Sequence, residues 1–124
     1  MILGIGTDIL NIERIKSTIE EPEDPFVEKT FTSKERNEAF NRYNKDFYYA
    51  IRFAGKEAVL KSLSLVTNTI DFSEIEILNK ESGEPYVTLY GNTAEHARKR
   101  GIKKILISLS YDTEYAIALA VAIG

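Results

Sequence analysis

The sequence predicts an α+β fold, in which an antiparallel sheet packs against a long central helix and several shorter helices. Residues 46–65 form the longest helix-favouring segment, which is rich in Ala, Leu, Lys, Glu and Arg and free of proline. Apolar runs at residues 1–10, 105–110 and 115–123 have the length and composition of strands. A chain of 124 residues has the size of one domain, so we expect residues 1–124 to share one core.

The composition excludes several classes of site and of partner. The chain has no cysteine, which excludes disulfides, thiolate zinc sites and a cysteine nucleophile, and its single histidine leaves little room for a histidine-based metal site. A net charge of −3 gives no reason to expect a nucleic acid or a membrane as partner. No apolar run reaches the length of a transmembrane helix, and the N-terminus lacks the pattern of a signal peptide. We therefore expect a cytoplasmic protein.

The first strand carries two glycines and a carboxylate on one face. Gly4, Gly6 and Asp8 share that face because side chains alternate along a strand. Glycines leave open space above the sheet, which is a weak signal for the approach of a phosphate. Asp8 has two interpretations: it is a functional carboxylate at the end of this space, or it is the N-cap of the following helical turn.

Short helices are expected between the first strand and the central helix. An acidic loop at residues 20–25 contains two prolines and precedes a short helix at residues 26–31. Residues 32–35, Thr-Ser-Lys-Glu, have the spacing of a capping box and begin a helix that reaches residues 40–43.

The central helix carries four charges on a largely apolar surface. At about 100° per residue, Arg52 and Lys56 lie on one line of the helix, and Glu57 and Lys61 on another. A helix that is apolar nearly all round is normally buried, so these charges need partners. An ion pair between Glu57 and Lys61, four residues apart, is the structural alternative to a catalytic role.

The remaining half of the chain predicts a hairpin and a surface helix. Residues 74–78 alternate as a strand, and residues 86–90 return after a Gly-Glu-Pro turn. Residues 92–101 predict a charged helix with an asparagine cap and Gly101 as its stop. His96 lies among charged residues of this helix, so we expect it to be solvated and not catalytic.

The last strand alternates small and large side chains. In residues 116–122, alanines alternate with larger apolar residues, as is typical of tightly packed sheets and of interfaces.

Three motifs together resemble holo-(acyl-carrier-protein) synthase, the short bacterial class of 4′-phosphopantetheinyl transferase. They are Gly-Ile-Gly-Thr-Asp-Ile at residues 4–9, Arg-Phe-Ala-Gly-Lys-Glu-Ala at residues 52–58 and Ile-Ser-Leu-Ser at residues 107–110. The mid-chain motif is the specific one. Length, motif order and intervals agree over essentially the whole chain, so the resemblance implies the fold of that family.

The resemblance also implies a reaction and its residues. Such enzymes move the 4′-phosphopantetheine group of coenzyme A to a serine of an apo acyl carrier protein and release adenosine 3′,5′-bisphosphate. Asp8 and Glu57 match the family's carboxylates for Mg²⁺, a cation that binds through oxygen ligands. Lys61 matches its motif lysine, which meets phosphate charge. Glu57, or a water that it holds, is the candidate base for the serine proton.

For coenzyme A itself, the resemblance implies contacts by Lys61 and by a residue after the late Ser-x-Ser. The family usually has histidine there, but this chain has Tyr111, which stacks or donates a hydrogen bond without becoming cationic. Arg52 and Lys56 either contact phosphate or pair with neighbouring acids. The chain also departs from the family in residues 64–69, which lack the expected glycines, and at Glu84, where lysine is more common.

The expected assembly is a homotrimer with active sites between subunits, and the expected partners are coenzyme A and an apo acyl carrier protein. A role in fatty acid biosynthesis and lipid metabolism follows from the same resemblance. The first helix, which is basic in the family, here has Arg14 and Lys16 among acidic residues. Two alternatives remain: a degenerate relative that binds coenzyme A or the carrier without transfer, and a structural trimer in which Glu57 and Lys61 are an interface ion pair.

Overall fold

Five strands and five α-helices alternate irregularly along the chain. The structure, a computed structural model, describes residues 1–124 except for the side chain of Thr67. In chain order the elements are β1 (Ile2–Asn11), α1 (Ile12–Glu20), α2 (Phe26–Thr30), α3 (Ser33–Phe40), α4 (Lys45–Ser62), two 3-10 helices (Thr67–Thr69 and Phe72–Glu74), β2 (Ile75–Asn79), β3 (Pro85–Leu89), α5 (Gly91–Lys99), β4 (Lys104–Tyr111) and β5 (Tyr115–Ile123).

The strands form two antiparallel sheets. The larger sheet has the order β1-β5-β4, and β2 and β3 form a separate hairpin. In the larger sheet, Asp8 lies opposite Ala118, and Ser110 lies opposite Ile117. Helix α4 packs across β1 and β5, and the hydrophobic core lies between this helix and the sheet. The predicted α+β class is therefore confirmed, with two sheets where one was expected.

Small residues allow α4 to lie close to the sheet. The alanines of β5 at positions 116, 118, 120 and 122 all face the core and are fully buried. A Cβ atom at Gly6 would overlap the carbonyl oxygen of Ala58, and one at Gly4 would overlap that of Ser62. The space above these glycines is thus filled by the backbone of α4. This corrects the interpretation of the glycines as a signal for phosphate approach.

The helix ends combine local caps with caps from distant residues. Thr32 and Glu35 form the predicted capping box at the start of α3. At α5 the predicted asparagine cap is wrong, because the carboxylate of Glu74 accepts hydrogen bonds from the backbone N–H groups of Asn92 and Thr93. Gly101 has φ of 77°, consistent with its predicted role as the helix stop.

The C-terminal end of α4 lies under α5. Ser64 adopts the left-handed conformation, with φ of 58°, at the position after the helix where glycine is usual. The backbone N–H of Ser64 donates to the carbonyl of Lys61, and that of Leu65 donates to Leu60. The Nε2 atom of His96 lies 2.8 Å from the Leu63 carbonyl oxygen, so the expectation of a solvated histidine is corrected.

The outer face of the larger sheet is apolar and exposed. The large residues that alternate with the buried alanines of β5 point to this face, where they meet neighbours from both edge strands. Its exposed members include Ile5, Ile9, Leu106, Ile117 and Leu119.

Within the described part of the chain, none of the helices combines the length and the hydropathy needed to cross a membrane.

The packing of α4 predicts different outcomes for two glycine-to-alanine substitutions. Gly6→Ala places a methyl group against backbone, which cannot move without shifting α4, and we expect a loss of about 1–3 kcal/mol in the free energy of unfolding. Gly55→Ala meets only flexible side-chain ends, the nearest being Ile77 Cδ1 at 2.6 Å. Its helix propensity offsets the repacking, so we expect a change within about 1 kcal/mol. Urea denaturation measures both, and equal effects would contradict this account.

Candidate active site

Strand β1 and helix α4 bring three of the predicted site residues together. The Nζ atom of Lys61 lies 3.3 Å from Oδ1 of Asp8 and donates a 2.9 Å hydrogen bond to the carbonyl oxygen of Thr7. Asp8 is not a helix cap, because the side chain of Asn11 caps α1. Among the ion pairs of the described residues, Lys61 pairs with Asp8 and not with Glu57. The ion pair between Glu57 and Lys61, which was the structural alternative to a catalytic role, is therefore not formed within the chain.

Both carboxylates have a raised pKa, and the charge of Asp8 contributes to the shift of Glu57. Burial raises the pKa of Glu57, the nearby charge of Asp8 raises this pKa further, and Lys61 acts in the opposite direction. Burial also raises the pKa of Asp8, while its hydrogen bond and charge interaction with Lys61 lower it. Two half-buried carboxylates with one lysine leave excess negative charge, which a bound cation would neutralise.

This donor set fits magnesium. The described residues contain no cluster of three or more His, Cys, Asp or Glu side chains that could hold a metal. Mg²⁺ does not require such a cluster, since it is commonly held by one or two carboxylates together with waters and substrate phosphates. Asp8 and Glu57 are such a pair of oxygen donors, and the side chain of Asp8 is partly accessible to solvent, at 16% exposure.

Lys56 lies in the core and not in a ligand site. Its side chain is fully buried, and Nζ donates to Oε1 of Glu35 at 2.8 Å, to the carbonyl of Phe72 at 3.0 Å and to the carbonyl of Ile75. Burial lowers the pKa of Lys56, and the charge of Glu35 opposes this shift. All three N–H donors are satisfied by the protein. Of the two roles expected for Lys56, the structure shows pairing with a neighbouring acid. The expected contact of Lys56 with coenzyme A is thereby corrected.

Glu35 does more than close the capping box. Its Oε1 atom accepts from the backbone N–H of Thr32, and its Oε2 atom accepts from that of Ile77 on β2. Together with the bond from Lys56, this fully buried carboxylate joins α3, α4 and β2. The sequence indicated the local cap, but the partners from distant segments had no local signal.

Arg52 and Tyr111 lie on the wall of a cavity of about 410 Å³ between α4, the β2–β3 hairpin and β4. Arg52 is buried, and its Nη2 donates a 2.6 Å hydrogen bond to Oδ1 of Asn79. Its Nε atom has no hydrogen-bond partner among the described residues. Tyr111 is 60% exposed and meets the ring of Phe47 edge-on, with ring centroids 6.1 Å apart.

Sequence reasoning missed the residues that hold Arg52 in the cavity wall. Glu38 lies 3.6 Å from Nη2 of Arg52 and accepts a 3.0 Å hydrogen bond from the hydroxyl of Tyr48, over whose ring the Arg52 guanidinium also lies. The four-residue spacing of Tyr48 and Arg52 could have indicated their contact. Glu84, another departure from the family, pairs with Lys80 at 3.1 Å on the exposed hairpin turn.

The cavity and the carboxylate pair are separate on one chain. Phe47, which lies beside Tyr111, precedes Glu57 by ten residues on α4, a rise of roughly 15 Å along the helix. The chain therefore presents one acidic site with a lysine and one cationic cavity with an aromatic wall. Such a pair of sites suits a long substrate that carries both a pyrophosphate and an aromatic base.

The fold and these two sites define a class of protein. The chain belongs to the 4′-phosphopantetheinyl transferase superfamily, whose sequence model matches residues 4–120. Within that superfamily, the resemblance to holo-(acyl-carrier-protein) synthase is confirmed by relatives and by solved structures. The holo-[acyl-carrier-protein] synthase of Desulforudis audaxviator is 40% identical over 124 residues, which are 100% of this chain and 95% of the relative.

Two solved structures extend the comparison to bound nucleotides. The acyl carrier protein synthase of Plasmodium yoelii with ADP bound has a TM-score of 0.91 and 36% identity, covering 100% of this chain and 96% of that one. A holo-(acyl-carrier-protein) synthase from Bacillus anthracis in complex with CoA (3′,5′-ADP) has a TM-score of 0.80 and 30% identity, covering 98% and 96%. The expected fold is thereby confirmed.

The burial of Lys56 predicts a large loss of stability when it is removed. Lys56→Met leaves the Glu35 carboxylate buried without its cation, and we expect a loss of about 3–5 kcal/mol in the free energy of unfolding. The double variant with Glu35→Gln should recover part of this loss. Lys61→Met is the matched control, because the Lys61 side chain is 52% exposed and its loss should cost less than about 1 kcal/mol. Similar costs for the two lysines in chemical denaturation would refute the structural role.

Proposed function

We propose that the protein is a holo-(acyl-carrier-protein) synthase, which transfers the 4′-phosphopantetheine group of coenzyme A to a serine of an apo acyl carrier protein. The observation that carries this proposal is the pair of carboxylates, Asp8 and Glu57, beside Lys61, in a chain that belongs to the transferase superfamily. The CoA complex of the Bacillus anthracis relative supports coenzyme A as the co-substrate.

In the proposed mechanism, the serine oxygen forms a bond to the phosphorus that carries pantetheine, and the bond from that phosphorus to the leaving adenosine 3′,5′-bisphosphate breaks. Asp8 and Glu57 would hold Mg²⁺, which supplies neutralisation of the pyrophosphate charge. Glu57 accepts the serine proton directly or through a water that it holds. In the metal-free protein, burial and the charge of Asp8 raise the pKa of Glu57, whereas a bound cation would favour the ionised carboxylate, the form that can accept a proton.

Lys61 would position the phosphate. Two of its N–H donors are directed to Thr7 and Asp8, so by the contacts of the described residues the third is available to a phosphate oxygen. The interaction with Asp8 also fixes the ammonium beside the carboxylate pair. A positioned cation of this kind stabilises charge on the leaving group without reorganisation during the reaction.

The nucleotide part of coenzyme A would lie in the cavity with Arg52 and Tyr111. Arg52 supplies a buried positive charge, and Tyr111 supplies an exposed aromatic face for adenine. Lys56 has no part in this binding, since its ammonium is satisfied within the core.

The proposed assembly is a homotrimer. The outer face of the larger sheet exposes five large apolar side chains, and a contiguous apolar surface of this kind is typical of an interface. In the trimer, Asp8, Glu57 and Lys61 of one subunit would lie near Tyr111 of the neighbour. This arrangement would join the two sites that are separate on one chain.

The remaining expectations are proposals that rest on the family. They are a single transferase domain at residues 1–124, a location in the cytoplasm, and service to fatty acid biosynthesis. The match of the family over residues 4–120 supports the first of these.

Mass spectrometry of an apo carrier protein, incubated with this protein, coenzyme A and Mg²⁺, tests the function. The expected result is a gain of one phosphopantetheine group on the carrier. Binding of coenzyme A without product at any Mg²⁺ concentration would instead identify the degenerate relative.

Glu57→Gln separates catalysis from stability. Transfer should fall by at least the ~10²-fold typical of a lost acid–base group. The stability of the metal-free protein should be unchanged or higher at neutral pH, because a carboxylate whose pKa is raised on folding opposes folding when it is ionised. This gain should vanish as the pH falls through the raised pKa of Glu57.

Asp8→Asn should have the same effects on transfer and stability as Glu57→Gln. The transfer rate of the double variant should fall by much less than the product of the two single effects, because the two residues act as one unit. Rates from the mass spectrometry assay, with thermal melting as a fold control, give the answer. Near-normal transfer by folded Glu57→Gln protein would overturn the mechanism.

The trimer predicts that a charge on the outer sheet face abolishes activity through assembly. Leu119→Glu leaves the core intact, because Leu119 is 38% exposed on one chain, but it places charge in the proposed interface. Light scattering should show a trimer for the wild type and a folded, inactive monomer for the variant. Lys16→Glu on α1, away from this face, is the control and should remain trimeric. An active wild-type monomer at assay concentration would contradict the proposal.

A further inference from the structure

The last turn of α4 carries Lys61 and ends in a conformation that its sequence does not favour. Among the described residues, Ser64 is the only non-glycine residue with a positive φ, which is 58°. A residue with a Cβ atom is strained in this left-handed region, and glycine usually occupies the position. The chain therefore lacks a glycine where its backbone most needs one, and the end of α4 needs support from another source.

Backbone hydrogen bonds satisfy only part of this helix end. The N–H of Ser64 donates to the carbonyl of Lys61 at 3.0 Å, and the N–H of Leu65 donates to that of Leu60 at 3.1 Å. This is the Schellman arrangement of a helix terminus. The carbonyl of Leu63 lies beyond both bonds, and Leu63 is fully buried. A buried carbonyl at a helix end requires a donor from elsewhere in the protein.

His96 supplies that donor from α5. Its Nε2 atom lies 2.8 Å from the carbonyl oxygen of Leu63. A carbonyl oxygen only accepts, so Nε2 carries the proton of this hydrogen bond. Leu63 directly precedes Ser64, so the bond holds the chain where it enters the left-handed turn.

Helix α5 is itself anchored, and it contacts β1 as well as α4. At its start, the carboxylate of Glu74 accepts hydrogen bonds from the backbone N–H of Thr93 at 3.1 Å and from the Thr93 hydroxyl at 2.9 Å. Near its end, Nη2 of Arg100 donates a 3.1 Å hydrogen bond to the carbonyl of Leu3. One anchored helix thus holds the backbone of both elements that carry the carboxylates and Lys61.

We infer that His96 is a positioning residue for Lys61, which it acts on by holding the left-handed turn that ends α4. Lys61 needs such support because its side chain is long and 52% exposed, and its backbone carbonyl is bonded within this turn. Opening of the turn would release the base of the side chain while Nζ is held only by Thr7 and Asp8. The inference rests on the proposed function, in which Lys61 contacts the pyrophosphate.

Hydrogen exchange measures the hold on the turn without reference to catalysis. The variants are His96→Asn, whose amide is one CH₂ group too short to reach Leu63, and His96→Gln, whose amide N–H reaches about as far as Nε2. By NMR, the Leu65 amide should exchange at least about fivefold faster in His96→Asn, as expected for one lost hydrogen bond, and close to the wild-type rate in His96→Gln. In a Ser64→Gly background the effect of His96→Asn should be smaller, because glycine removes the strain.

A double-mutant cycle with Lys61 separates positioning from a general loss of structure. In the carrier transfer assay, His96→Asn should lower kcat by at least about fivefold and leave KM for the apo carrier unchanged, with His96→Gln restoring kcat. In a Lys61→Met background, His96→Asn should have no further effect, since it acts through Lys61. Lys99→Asn, an exposed position on the same helix, is the control and should keep the wild-type kcat. His96→Phe, which keeps a ring but has no N–H donor, replaces His96→Asn if that variant does not fold.

Two results would overturn the inference. One is an unchanged exchange rate of the Leu65 amide in His96→Asn. The other is an equal fold loss of kcat by His96→Asn with Lys61 present and with Lys61→Met, which would show that His96 does not act through Lys61. A wild type that transfers nothing would contradict the proposed function, and hydrogen exchange would still decide whether His96 holds the end of α4.

Discussion

The buried ion pair between Lys56 and Glu35 is the constraint on which the arrangement of α4 depends. Because Lys56 is satisfied by α3 and by the segment that leads into β2, the rotation of α4 about its own axis is fixed. Glu57 follows at about 100° around the helix and faces Asp8 on β1. Arg52, four residues before Lys56, points along the same side to Asn79. One buried pair thus orients both the acidic site and the cationic cavity.

The site also requires α4 to pack closely against the sheet. Only residues without a side chain fit at Gly4 and Gly6, where the helix backbone lies directly above β1. This approach places Asp8 beside α4 and removes water from its surroundings. The raised pKa values of Asp8 and Glu57 are the electrostatic consequence. Two ionised carboxylates so close together are unfavourable in the free protein and become favourable when a cation and a polyanionic substrate are bound. Catalysis depends on such differences in interaction between states.

The two sites also explain how function is divided over the chain. In the proposed function, the carboxylates with Lys61 bind the pyrophosphate and the cavity with Arg52 binds the nucleotide. The cavity residues of α4 precede Glu57 by five to ten residues, a rise of roughly 8–15 Å along the helix. The exposed apolar face of the sheet offers a physical reason for assembly, because its burial between subunits would stabilise a trimer and bring a cavity of one subunit to the carboxylates of another. The proposed catalysis therefore depends on the proposed trimer.

The sequence by itself determined the elements whose signals are local. The span of β5, the capping box of Thr32 and Glu35 and most of α4 followed from side-chain period and propensity, and the motif around Glu57 indicated the family. Only the tertiary structure decided which charges are partners. Lys56 and Arg52 look equivalent on a helical wheel, yet one is enclosed in the core and the other lies in a cavity wall. Their hydrogen-bond partners come from segments 16 to 27 residues away in sequence, Glu35 for Lys56 and Asn79 for Arg52 among them. Periodicity within one helix carries no information about contacts made between distant segments.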